Sequence, residues 1–434
     1  MTTQAAAIEP AAIAARARPR AAFAGAGLLS IAMVGSGGLA YGFHVLAART
    51  LGPAAYGQIA VLWGALFLVT VVLFRPLEQM VARSLAARLA LNRDGSPVVR
   101  AALGLFGAMI VACAATAAIL WAPLTDRLFL GNDVMTAMLI FGVVVYGVSY
   151  LVRGAAAGTS WFHGYALALL GDGLLRLLIA VPLIVLASQN LAAAAVGIAA
   201  LAAVAVPILV GRARIAPLLE KKERGDFRLS AALAFAAPAS VIAIADQLLV
   251  NGAPVLIMLE GGSDANRTAG VVFAATMLVR VPVYVFQGIS ASLLPNLTRM
   301  HAAKDAGFSD AVARTAGLLL GAGALIVAAT AAVGPESMRL LFGDEFDAGR
   351  GELTLLGVGV GCYLAAATLS QALLALDSGV RAACAWSASA IVFVVAYLLL
   401  PGSALARVSG AFAAGVFLGL LLLAVLLVVR LRRS

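Results

Sequence analysis

The sequence predicts an all-α, polytopic membrane protein of twelve transmembrane helices, in two six-helix lobes related by a pseudo-twofold axis along the membrane normal. Three observations predict it. The 434 residues are 63% hydrophobic and only 12% charged, with a mean hydropathy of +1.03, more apolar surface than a soluble domain can hide. Twelve apolar stretches each approach the roughly 20 helical residues that cross a hydrocarbon core of about 30 Å. Lys and Arg fall almost entirely into every second gap between those stretches.

The stretches run over 22–46, 57–75, 100–122, 134–156, 164–187, 190–211, 231–258, 269–293, 312–333, 352–376, 380–400 and 407–429. Residues 1–20, Ala-rich with Arg16, Arg18 and Arg20, read as a disordered cytoplasmic tail. The apolar run behind them is too long for a signal-peptide core, and no clear cleavage site follows. Gly52 and Pro53 stop the first span and turn the chain, and Tyr56 suits the interfacial aromatic belt. The six spans of 21–211 form an N-terminal lobe. A charged segment from Arg212 to Arg228 lies within a cytoplasmic linker (212–229), and 230–430 forms the C-terminal lobe. Both halves begin alike. An apolar run of about 18–23 residues follows Gly57 and Gly270, and Arg88 or Arg299 lies roughly 30 residues past the glycine. Gly357-Val-Gly-Val-Gly361, inside the tenth span, lacks the strand–turn–helix context of a nucleotide loop and reads as close helix packing.

Counted gap by gap, the arginine-rich class holds both termini and the connections 2–3, 4–5, 6–7, 8–9 and 10–11, with 22 of the 30 basic residues. The other class holds six, and Arg176 and Arg280 lie inside spans. One missed or invented span would invert every later gap and destroy that ratio. Short cytoplasmic loops retain Lys and Arg, so both termini face the cytoplasm of a multi-pass protein in the cell membrane. The net charge of +10 is thus a topology signal and an attraction to anionic lipids; it does not imply nucleic acid. Cys113, Cys362 and Cys384 have no metal or redox spacing and read as small hydrophobes, so no cofactor or metal is expected. No loop is long enough for a catalytic domain, and no P-loop occurs. Enzyme classes are therefore disfavoured. Parallel repeats suit alternating access about a central cavity.

Three segments resemble a known family. They are Ala48-Arg-Thr-Leu-Gly-Pro-Ala-Ala-Tyr-Gly57, Arg153-Gly-Ala-Ala-Ala-Gly-Thr-Ser-Trp-Phe-His-Gly-Tyr165 ahead of a helix bearing Leu174-Leu-Arg-Leu-Leu, and Ser290-Ala-Ser-Leu-Leu-Pro-Asn-Leu-Thr-Arg299. With the six-plus-six layout, they resemble the Wzx-type polysaccharide flippases of the multidrug/oligosaccharidyl-lipid/polysaccharide exporter superfamily. The resemblance implies a V-shaped pair of lobes that moves a lipid-linked oligosaccharide from the cytoplasmic to the outer leaflet. It implies as partners the membrane lipids and a polysaccharide polymerase with other assembly proteins. A peptidoglycan-precursor flippase and a cation-coupled multidrug antiporter of the same superfamily are the alternatives. A membrane-embedded glycosyltransferase would need a larger outer loop than Gly334–Glu352.

An ionisable group at mid-span costs about 2.5–3.5 kcal/mol on insertion scales and needs a reason. Asp172 and Arg176, four apart, share a helix face and pair either structurally or as an exchangeable cavity pair. Asp246 and Arg280 are expected to pair across adjacent helices. On the resemblance, Arg280 is the candidate for a diphosphate, because a guanidinium fork matches phosphate oxygens, and Asp246 is a candidate for a coupling proton or cation. Arg75 snorkels to head groups or contacts substrate at the cavity mouth. His44 reads as packing rather than a proton site. Asn251, Gln287 and Gln371 bond either sugar hydroxyls or neighbouring helices.

Overall fold

A computed structural model of the chain describes residues 19–219, 229–280 and 307–432, with the single positions 283, 293, 297 and 300. The predicted tail before Pro19, the middle of the linker, Gln287, most of the Ser290–Arg299 motif and Arg433 lie outside the described residues.

Every regular element among the described residues is helical. The first half comprises α1 (Pro19–Ala90), α2 (Ser96–Pro123), a short π turn (Leu124–Leu128), α3 (Asp133–Gly158), α4 (Phe162–Ala180), α5 (Leu183–Leu186), α6 (Gln189–Ile198), α7 (Ala200–Val210) and α8 (Arg212–Leu219). The second half comprises α9 (Leu229–Glu260), α10 (Ala265–Val279), α11 (Phe308–Phe342), α12 (Arg350–Ala375), α13 (Gly379–Leu399) and α14 (Ala404–Leu431).

Among the described residues, ten helices are long and apolar enough to cross a membrane, counting α4–α5 and α6–α7 as one each. The apolar part of α1 runs 64 residues, more than two crossings require. It is broken at Gly52, whose φ of 71° and ψ of 171° suit a residue without Cβ. Pro53 then opens the second arm, where its missing N–H leaves no bond unmade. The turn expected between the first two spans is therefore one residue wide, and the second arm continues past Arg75 to Ala90. α10 begins the predicted eighth span, and the rest of that span to 293 lies largely outside the described residues. Large aliphatic side chains such as Val111, Leu178, Leu325 and Val425 stand exposed on the bundle's outside, as a hydrocarbon solvent permits. The chain is a multi-pass helical membrane protein.

The six arginine-poor connections meet on one face, joined in series by side-chain bonds. Asn132 donates to Asn190 (3.0 Å) and Gln189 to the Ala55 carbonyl (3.2 Å). Arg49 donates to the carbonyls of Leu340 and Leu341. Arg267 lies 3.6 Å from Glu345, and Arg407 grips Glu260 through two bonds of 2.8 and 2.9 Å.

The halves meet mainly through α1, which packs on α3 and α4 of its own half and on α9 and α10 of the other. At the second arm's start, α1 crosses α10 with no room for side chains. A Cβ on Gly57 would lie 1.7 Å from the Asn266 carbonyl oxygen, and one on Gly270 would lie 2.1 Å from that of Pro53. The contact is reciprocal: each glycine meets the carbonyl four residues before the other. It joins the same two glycines that head the apolar runs of the two halves. Elsewhere Gly361 and Gly323 bring α12 against α11 at backbone distance.

Candidate functional site

Each half holds a buried tyrosine–aspartate–arginine group. In the first, Arg176 and Asp172, one turn apart on α4, pair at 2.6 Å. Tyr146 of α3 donates to Asp172 at 2.7 Å and accepts a bond from Arg176. The guanidinium lies over the Trp63 ring, 4.8 Å from its centroid. Arg176 is 1% exposed; the pair, the phenol and the ring replace part of its water shell, and its Nε makes no hydrogen bond.

In the second half, Tyr363 of α12 donates to Asp246 of α9, which also accepts from Gln247 at 3.2 Å. Asn251 donates to Gln247 (2.7 Å) and accepts from Arg280 (3.1 Å). The Arg280 guanidinium lies 5.5 Å from the Phe273 centroid. The expected Asp246–Arg280 pair is thus replaced by an extended network, in which a phenol and two amides bond the charges. Arg280 and Tyr363 also line a cavity of about 20 Å³ walled by Leu249, Val360 and Phe412, large enough to hold a single water.

The two groups are linked. His44 of α1 packs against Trp63 at 4.4 Å and Phe273 at 5.1 Å between ring centroids. The series Arg176–Trp63–His44–Phe273–Arg280 thus runs unbroken from one half to the other. His44 is fully buried. Its Nδ1 shares a 3.2 Å bond with the Tyr56 hydroxyl, and its Nε2 has no hydrogen-bond partner. Tyr56, expected in the lipid-facing belt, is instead fully buried beside Phe273 and Phe346. The reason is the one-residue turn at Gly52, which starts the second arm inside the interface between halves.

Arg75 does not simply snorkel. It pairs with Glu78 at 3.0 Å. Glu78 also draws Arg153 of α3 to 3.6 Å and accepts from Tyr165 of α4 at 2.7 Å. Sequence reasoning passed over Tyr146, Tyr363, Trp63 and Phe273. The two tyrosines carried a usable signal: a phenol at mid-span needs a partner as a charge does. Gln371 stands half-buried on α12. Among the described residues no group of three His, Cys, Asp or Glu is placed to hold a metal. All three cysteines are free, and Cys384, expected to be buried, is exposed on the bundle's outside.

The two halves of the bundle each bury a charge network against their shared interface. Solved structures give that bundle its counterparts. A point mutant of the Vibrio cholerae MATE transporter VcmN superposes with a TM-score of 0.62 at 15% identity, over 96% of this chain and 99% of that one. An inward-facing multidrug resistance MATE transporter of the MOP superfamily gives 0.66 at 14%, over 91% and 95%. The lipid II flippase MurJ, in an inward closed conformation, gives 0.69 at 12%, over 92% and 87%. The chain therefore has the fold of MATE transporters and MurJ. In sequence it is 27% identical over 361 residues to uncharacterised proteins of Mycobacterium bovis and Mycobacterium tuberculosis, covering 80% of this chain and 77% of theirs. No family model matches.

Proposed function

We propose that the protein is a flippase that moves a lipid-linked oligosaccharide from the cytoplasmic to the outer leaflet by alternating access. In this reading the chain crosses twelve times in two six-helix lobes, with both termini in the cytoplasm. The observation that carries it is the pair of buried guanidiniums, Arg176 and Arg280, one per half and joined through Trp63, His44 and Phe273. A diphosphate is the head group that such forks match. A wet groove between lobes would shield it while the lipid tail stays in hydrocarbon. Likeness to the MurJ fold supports a lipid-borne cargo, and the motif resemblance favours a surface-polysaccharide precursor over a peptidoglycan one.

The test uses full-length protein in vesicles containing a polyprenyl-diphosphate oligosaccharide with a fluorophore on its sugar, read with an impermeant quencher. Arg280→Ala should slow flipping roughly tenfold or more, as loss of a charge-assisted bond implies, and Arg280→Lys should restore part of it. In the native host, Arg280→Ala should reduce surface polysaccharide at unchanged protein abundance. Unaltered flipping and polysaccharide would remove Arg280 from the pathway. Drug export without flipping would assign the fold's antiporter activity instead, and selective flipping of a peptidoglycan precursor would reassign the cargo.

A further inference from the structure

The Glu78 group is built with an unmatched positive charge. One nearly buried carboxylate, already accepting from the Tyr165 phenol, faces two guanidiniums, Arg75 at 3.0 Å and Arg153 at 3.6 Å. Arg75 is held by a hydrogen bond, whereas Arg153 meets Glu78 at ion-pair distance only. The Arg153 plane lies over the Tyr150 ring, 4.0 Å from its centroid, and 5.8 Å from that of Tyr165. Its Nε and Nη2 are buried and make no hydrogen bond, Nη2 being the nitrogen that faces Glu78. Those two nitrogens form one edge of the guanidinium, the edge whose parallel N–H groups grip two oxygens of a single anion. Buried donors left unmade are costly and rare. Here they coincide with surplus charge and with aromatic faces that fix the plane.

We infer that the Arg153 edge, with Arg75 at its entrance, is a binding subsite for a lipid-borne phosphate group, distinct from the Arg176 and Arg280 networks. Arg75 is the group that admits the ligand. Its side chain is 40% exposed, against 13% for that of Arg153. Glu78 acts as the internal stand-in anion, holding both arginines until a phosphate competes for them. The phosphate has two chemical sources, a polyprenyl phosphate or a resident anionic phospholipid.

Native mass spectrometry of the detergent-purified full chain tests this with polyprenyl phosphate, phosphatidylglycerol and, as the uncharged control, phosphatidylcholine. Arg153→Gln should lower the phosphate-lipid adducts roughly tenfold, the effect of losing a bidentate charged contact, and Arg153→Lys should lower them less. Glu78→Gln should raise them, because the competing carboxylate charge is gone. Loss confined to polyprenyl phosphate identifies a carrier-lipid site; loss of both identifies a general anionic-lipid site. Either supports the subsite, and neither depends on flipping. A folded Arg153→Gln protein that keeps both adducts overturns it. So does a Glu78→Gln protein that binds less, the result a purely structural ion pair gives. Should Arg153→Gln fail to fold, Glu78→Gln alone decides by its gain or lack of gain.

Discussion

Replacing Gly57 with alanine should force open the face of the bundle that carries Gly52. The added Cβ would sit 1.7 Å from the Asn266 oxygen, where ordinary contact begins at 3.4 Å, and 2.6 Å from the carbonyl carbon behind it. The obstacle is helix backbone on both sides, so no rotamer relieves it, and α1 and α10 must separate. Overpacking of this kind costs about 2 kcal/mol within a usual range of 1–3, a shift of roughly thirtyfold against the closed arrangement. Spin labels at Arg127→Cys, after α2, and at Ser263→Cys, between α9 and α10, stand on exposed positions. Cys113, Cys362 and Cys384 would be replaced by serine first. The distance distribution should lengthen or broaden in Gly57→Ala, and Gly270→Ala should reproduce the change because the contact is reciprocal. Unchanged distributions in both variants, with normal folding, would refute the crossing as the closure of this face.

Two further predictions concern stability. Glu260→Ala removes the acceptor of both Arg407 bonds and of the Tyr397 hydroxyl. Because Glu260 is partly exposed, the cost should be about 1 kcal/mol, read as a lower melting temperature in detergent. Asp94, in the loop after α1, accepts from the Ser96 hydroxyl and amide, which hold its carboxyl below the usual aspartate range. A depressed folded-state value stabilises above the unfolded value of about 4 and loses that effect as pH falls through the folded one. Asp94→Ala should therefore speed amide exchange at Ser96 at pH 7, and its difference from the parent should fade in acid below the ordinary aspartate range.

Helical class and the placing of the apolar helices were legible because the bilayer imposes a length and the loops a charge, and both are local properties of the chain. Gly57 and Gly270 stood out for the same reason. Each heads an apolar run, although nothing in the sequence said that they touch. The site was legible only as a set of charges. Asp172 and Arg176 were pairable on sight, because one turn of helix separates them. Asp246 and Arg280 are joined through Gln247 and Asn251 of α9, with Tyr363 of α12 bonding Asp246, and no spacing within one strand of sequence encodes that meeting. Tyr56 was misplaced because a turn of unknown width decides whether the next residue faces lipid or protein. At Gly52 that turn is a single residue.

The place of α1 also bears on how the chain is made. It is synthesised before α9 and α10, yet much of its surface, with Tyr56 and His44 among the covered residues, waits for those two helices, which leave the ribosome only after the whole first half. Until then a folded first half shows its nascent partner-seeking side to the insertion machinery and to proteases. The order of translation thus leaves a vulnerable interval that ends only when the second half docks.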